Sequence, residues 1–430
     1  MTAVPPRAAT QRTLWSWAVF DWANNGFATV ILTFVFSPYF SQAVAETPTQ
    51  GTTLWGYTLA ASGLTIALAS PVAGAVADRR GRLKPWLGTA TLVCIAATAM
   101  LWTIRPDPGY AAQAMALIVV GNVAFHLALV FYDSQLTHLV PKDRVGRWSG
   151  WAWGLGYAGG LSCLGAALVL FVRADGPVVP LDTQTAEHVR IVGPFVALWF
   201  AVFALPLFLF VPDRRDTGVP IVRAARDGLR QLRDTFREVR QKHANILRFL
   251  IARILYNDGL NTLFSFGGIY VAGTFGMDVA EVLVFGIAIN VTAGAGAALF
   301  GWVDDRIGPW RTIQIGLVGL LAFGVPMLIV ESRAWLWAFA LPLGLFVGPV
   351  QSGSRSLMVR LAPEGMVSET FGFYQASGKI TSFLGPAVVG TVTALTGSQR
   401  IGLAPILAFV IAGGLILLTV REPKRGLVDR

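Results

Sequence analysis

Asp21, Asn24 and Asn25 are polar residues inside an apolar run. They lie within WAVFDWANNGFATV, residues 17–30, part of the first long apolar stretch at 14–43. That stretch is long enough to cross a bilayer as one helix. The spacing 21, 24, 25 puts all three side chains on one helical face, with Thr29 close to the same stripe. A carboxylate at membrane depth costs about 2.5–3.5 kcal/mol on insertion scales, so Asp21 is expected to face protein or water and not lipid. The chemistry open to such a face is recognition of a polar solute and exchange of protons.

Similar groups recur inside other apolar runs. Asn122, His126 and Asp133 stand at i, i+4 and i+11, Asp258 and Asn261 share a face, and Gln351 and Arg355 are one turn apart. Gln375 and Lys379 repeat the one-turn spacing, with Lys379 either reaching a cavity or snorkelling toward an interface. A guanidinium matches a carboxylate bidentately, so Arg355 is expected to bind an anionic group. That group is either on the solute or on Asp133 or Asp21, the alternative being a fixed ion pair. Asp21, Asp258 and His126 are the candidates for proton coupling, since carboxyl and imidazole groups can take up and release a proton in a transport cycle. A helix-packing contact for Asp21 and a hydrogen-bonded core histidine at His126 are the competing structural roles.

The elements that must position these groups are membrane helices. Hydrophobic residues make up 54% of the 430 and charged residues 13%, against roughly 25% charged in soluble domains. The mean hydropathy is +0.59. Apolar runs fall near 14–43, 53–77, 86–104, 110–139, 149–173 and 191–212, then 246–272, 279–303, 311–330, 334–361, 369–396 and 401–420. They give an all-α membrane protein of twelve spans in two six-helix bundles, 1–212 and 246–430, with both termini cytoplasmic. The first run is expected to be retained and not cleaved as a signal peptide, because it is long and contains Asp21.

The net charge of +10 reads as topology and not as a nucleic-acid site. Of the 34 Lys and Arg, Arg105, Arg173, Arg190, Arg333 and Arg400 fall outside and Arg253, Arg355 and Lys379 within spans; the rest fall on the cytoplasmic side. In the linker 213–245, Val222, Ala225, Leu229, Leu232, Phe236 and Val239 form one stripe. Arg226, Arg230, Arg233, Arg237 and Arg240 form a parallel one, a basic amphipathic helix for the membrane surface or the helical core. Trp15, Trp17, Trp55, Trp102, Trp335 and Trp337 lie near span ends, and most are expected to be interfacial anchors.

No phosphate-cradling glycine loop with its lysine occurs, and His126, His138, His188 and His243 are too far apart to suggest a metal site. Cys94 and Cys163 lie in apolar runs and define no disulfide framework. The expectation is therefore no enzyme, no cofactor and no metal, but a monomer in contact with lipid, a small-molecule solute and protons.

The halves repeat. Gly74 to Gly81 recurs at 301–308, Asp133 to Gly150 at 355–372, and Asp21, Asn24 and Phe27 as Asp258, Asn261 and Phe264. Duplicated membrane halves usually rock about a central site. Gly74, Asp78, Arg79, Gly81 and Arg82, with Asp305 and Arg306 in the second copy, are expected at cytoplasmic helix ends, where they can cap termini or pair across helices as a gate.

GAVADRRGRLK at 74–84 resembles the signature loop of the major facilitator superfamily, with Pro309 and Trp310 departing from it in the second copy. FDWANNGFATVI at 20–31, GPVQSGSRSL at 348–357 and ETFGFYQASGK at 369–379 are similar to the branch holding the autophagy-related vacuolar effluxers and their bacterial relatives. In that branch a tyrosine usually stands where Phe20 does here. The resemblance implies alternating-access transport, and efflux of small solutes such as amino acids in eukaryotic members. It implies that the first, fourth, seventh and tenth helices line the cavity. A transport-inactive scaffold or receptor and a lipid flippase of the same fold are the alternatives.

Overall fold

The computed structural model describes residues 10–422 except 81, 140–144, 173–177, 180, 214–216, 219, scattered positions in 221–242, and 362–373, 375–376 and 379–380. All regular structure among the described residues is helical, as bilayer spans must be when no water is present to satisfy backbone N–H and C=O groups. The twelve principal helices are α1 (Gln11–Val44), α2 (Pro48–Arg80), α3 (Lys84–Met100), α4 (Ala111–Leu139), α5 (Val145–Ala167) and α6 (Val192–Phe210). They continue with α7 (Ala244–Phe275), α8 (Val279–Ile307), α9 (Pro309–Ile329), α10 (Arg333–Leu361), α11 (Leu384–Thr396) and α12 (Gln399–Leu418). Ten of these carry segments long and apolar enough to cross a membrane. The other two are α7, whose apolarity is diluted by Arg253, Asn257, Asp258 and Asn261, and α11, which has 13 residues.

The apolar run 369–396 is not one continuous helix. Tyr374, Ser377 and Gly378 are helical, 381–383 form a turn, and α11 begins at Leu384. A buried carboxylate from α7 meets the new helix start, as described below.

Two compact units result, Met1–Glu46 with Leu68–Arg230, and Thr47–Ala67 with Gln231–Arg430. In the first, α1 packs on α5 and α6, and α3 on α4. Lipid gives helices no hydrophobic reason to associate, so close approach through small residues matters. Gly156, Gly159 and Gly160 of α5 supply it: a side chain at Gly159 would collide with the backbone of Trp22, and one at Gly156 with Asn25. Trp17 stacks on Tyr132 of α4 with centroids 4.6 Å apart, and its Nε1 donates to the Tyr132 carbonyl. Trp17 and Trp55 are only 2% and 1% exposed, so they are core residues and not the interfacial anchors expected from their positions. Trp15 and Trp335 remain exposed.

Helix α1 is not α-helical throughout. Phe27–Phe34 and Phe40–Val44 take π geometry, with Val35 N–H bonding to the Val30 carbonyl and Ala45 N–H to Phe40. In the second unit α7 packs on α12, and α10 on both α8 and α9. Gln399 at the start of α12 donates to Thr52 Oγ1 at 2.7 Å and accepts from Thr274 Oγ1 at 3.1 Å, tying the first part of α2 to the end of α7.

Candidate functional site

Two polar loci stand inside the helices, one in each unit. In the first, Asp21 and Asn24 are buried, at 9% and 2% exposure, on the face of α1 that meets α5 and α4. Asn24 Nδ2 donates to Asp21 Oδ1 at 3.2 Å, and Asn25 Nδ2 donates to the Asp21 carbonyl at 3.0 Å and to Asn24 Oδ1 at 3.3 Å. The 3- and 4-residue spacing thus does bring the three together, as one hydrogen-bonded cluster. Asn25 is half-buried, and the glycine surface of α5 makes room for its amide.

On α4, Asn122 is buried and its Oδ1 accepts no hydrogen bond from the described residues. His126 is half-buried, edge-on to Phe125 with centroids 5.2 Å apart, and Asp133 is exposed. The ring stack of Trp17 on Tyr132 joins α1 to α4 one turn before Asp21 and one residue before Asp133.

In the second unit Asp258 is 3% exposed. Its Oδ2 accepts from the Gly385 N–H at 2.8 Å, at the first turn of α11, while Oδ1 has no partner among the described residues. A carboxylate there satisfies one of the orphan donors of a helix start and complements its dipole. Gly385 allows this approach, because a β-carbon there would strike Thr262 Oγ1. Asn261, expected on the same face, is exposed, and its carbonyl accepts from Ser265. Gln351 and Arg355 are half-buried on α10. Gln375 and Lys379 lie outside the described residues.

Part of the expected gate is visible. Gly74 is half-buried in α2, and Arg82 is exposed and pairs with Asp213 at 3.8 Å. Asp213 Oδ1 also accepts from the Leu83 and Lys84 backbone N–H groups at 2.9 and 3.3 Å, capping α3, and Lys84 Nζ donates to the Phe208 carbonyl. In the second copy Arg306 is exposed, and its neighbour Asp304 is buried. Gly81 and the side chains of Asp78, Arg79 and Asp305 lie outside the described residues.

Three participants escaped the sequence reading. Asp213 follows the last span of the first half, and nothing in its neighbourhood marks it as the cap of α3. Arg253 stood out only as a cation inside a span; it is 8% exposed and bonds to Tyr374 and Ser377. Asn257, one turn on, is half-buried beside it. The signal available for both was the i, i+4, i+5 spacing of Arg253, Asn257 and Asp258.

A family model described as vacuole effluxer Atg22 like matches residues 49–429. The chain belongs to the Atg22-like effluxer family. Among its relatives is an uncharacterized MFS-type transporter, YxiO of Bacillus subtilis, 27% identical over 95% of this chain and 94% of that protein. Autophagy-related protein 22 of Cryptococcus neoformans is 25% identical over 60% of this chain, which spans about half of that protein, 49%. Solved structures give the same fold. A bacterial homologue of the human lysosomal transporter Spinster, inward-facing and occupied, superposes with TM-score 0.70 at 13% identity, covering 95% of each chain. A D-xylose–proton symporter superposes with TM-score 0.69 at 13% identity, covering 96% of this chain and 98% of that one. This Atg22-like chain is thus a multi-pass membrane transporter of the major facilitator type, with its twelve-helix fold, and not an enzyme.

Proposed function

We propose that the chain exports a small polar solute, an amino acid or another small metabolite, by alternating access with proton participation. Its site is a bacterial-type inner membrane, with both termini on the cytoplasmic face. The observation that carries this reading is the Asp21–Asn24–Asn25 cluster: a carboxylate and two amides held at membrane depth by hydrogen bonds to one another. Such groups are expensive in a span unless they serve a solute or ion pathway. The family description supports efflux, and the end-to-end match to a bacterial relative supports the inner membrane.

Asn122, His126 and Asp133 of α4, Asp258 and Asn261 of α7, and Gln351 and Arg355 of α10 extend the pathway, with Gln375 and Lys379 after them in sequence. Asp21, Asp258 and His126 are the proton carriers of this reading. The loop around Asp78 and Arg79 and its copy at Asp305 and Arg306 gate one end.

Purified protein is screened by thermal shift against amino acids, sugars, nucleosides and drugs, since a native-state binder raises the unfolding temperature. The solute found is then tested in proteoliposomes. Counterflow of labelled solute, accelerated by an imposed pH gradient, is expected; flux indifferent to the gradient removes the proton. Arg355→Lys is expected to abolish flux while leaving the unfolding temperature unchanged, because an ammonium cannot reproduce the bidentate geometry. Unchanged flux removes Arg355 from solute binding. A chain that binds no solute and shows no counterflow is a scaffold, and the proposal falls.

A further inference from the structure

Arg253 is a buried cation whose described bonds are all to neutral groups. Nη1 donates to the Tyr374 carbonyl at 2.7 Å and to Ser377 Oγ at 2.8 Å, and the guanidinium carbon lies 3.7 Å from the centroid of the Tyr374 ring. Among the described residues no carboxylate pairs with it, and Nε and Nη2 donate to nothing. Asn257, one turn further along α7, is half-buried and makes no side-chain hydrogen bond among the described residues. Both side chains converge beside Gly378. A β-carbon there would lie 3.1 and 3.3 Å from Nη1 and Nη2 of Arg253 and 3.5 Å from Nδ2 of Asn257. The guanidinium and the amide therefore pack directly against Gly378 and bring Nη2 of Arg253 and Nδ2 of Asn257 to the same glycine.

A charge removed from water is costly unless it is paired and hydrogen-bonded. The acidic neighbour on α7 does not pair with Arg253, because Asp258 is turned to the Gly385 N–H of α11. Helix α11 carries no charged residue, and the charged residue of α12, Arg400, bonds to the Ile329 carbonyl.

We propose that Arg253 and Asn257 form the anion end of the solute site, receiving a monocarboxylate against Nη2 of Arg253 and Nδ2 of Asn257 beside Gly378. This rests on the transport reading and gives it a substrate class. A planar two-oxygen anion matches a guanidinium edge plus an amide. One cation balances one negative charge, so a phosphate dianion would leave net charge buried in the span.

The test uses full-length purified protein and pairs each carboxylate with its own amide: L-leucine with L-leucinamide, L-alanine with L-alaninamide and lactate with lactamide, with inorganic phosphate alongside. At least one carboxylate is expected to raise the unfolding temperature saturably while its amide and phosphate do not. Arg253→Lys and Arg253→Gln weaken half-saturation by about tenfold or more, the scale of a lost charged hydrogen bond. Because Arg253 also holds Tyr374 and Ser377, Asn257→Asp serves as the second variant. It breaks no described bond, neutralises Arg253 internally, and is expected to expel the carboxylate at an unliganded unfolding temperature no lower than that of the wild type. Equal protection by the amides, protection by phosphate instead, no protection by any carboxylate, or carboxylate protection unaltered in Arg253→Gln or Asn257→Asp each overturn the subsite. Neutral solutes that bind and undergo counterflow would leave transport standing without it.

Discussion

Asp258 carries two demands at once, and substitutions separate them. Its Oδ2 holds the Gly385 N–H, and its other oxygen is buried without a partner among the described residues. Asp258→Ala strands a buried backbone donor, at a cost of about 1–3 kcal/mol, and is expected to lower the unfolding temperature of the purified protein. Asp258→Asn keeps an acceptor for Gly385 and is expected to unfold near the wild-type temperature. If Asp258→Asn nonetheless stops gradient-driven flux, the carboxyl does more than cap a helix; full flux confines it to that role. The sequence singled out Asp258 as a polar residue inside a span, but it did not disclose the cap, because the partner lies 127 residues away. The Asp21 cluster was legible for the opposite reason: its members sit three and four residues apart, where helical geometry alone dictates contact. Trp17 and Trp55 misled because position near a span end says nothing about which way a ring turns; Trp17 packs inward on Tyr132.

At the scale of elements, small residues decide which helices touch. Helix α11 lies so close to α7 that a β-carbon at Gly385 would strike Thr262 Oγ1. Gly385→Ala is expected to destabilise the protein by about 1–3 kcal/mol, the usual cost of overpacking. Combining it with Thr262→Ala should recover part of the loss, a coupling that a double-mutant cycle in thermal unfolding reads directly. Strictly additive effects would mean that the two positions do not meet. The glycine row of α5 seats the backbone of Trp22 and the amide of Asn25. The turn at 381–383 was hidden because the polar residues around it, Gln375, Lys379, Thr381 and Ser382, read equally well as the lining of one unbroken span.

For the molecule as a whole, composition and repetition carried the architecture. An apolar chain with twelve runs and duplicated motifs leaves few folds open, and the resemblance of residues 74–84 and 20–31 to known motifs supplied the transporter fold among them. In the basic linker Arg226, Arg230, Arg233, Arg237 and Arg240 are helical and exposed, and most of the matching apolar stripe lies outside the described residues. The charge asymmetry also predicts sidedness. Both native thiols, Cys94 and Cys163, are fully buried, so wild-type protein is expected to give little background with an impermeant maleimide. In intact cells a cysteine at Asp107 should react at once, and one at Thr217 only after permeabilisation; the reverse pattern inverts the topology. Finally, each π turn of α1 holds one residue more than an α-helical turn would. Deleting Ala28 would therefore let that stretch close to regular α-helical pairing with Phe36–Tyr39 kept near their present bearing relative to Asp21, whereas removing a residue from an α-helical stretch swivels everything beyond it by about 100°. The surplus residue makes this helix tolerant of a one-residue deletion inside the π turn and intolerant of one in its α-helical part, where the buried aromatic side chains beyond would be misdirected.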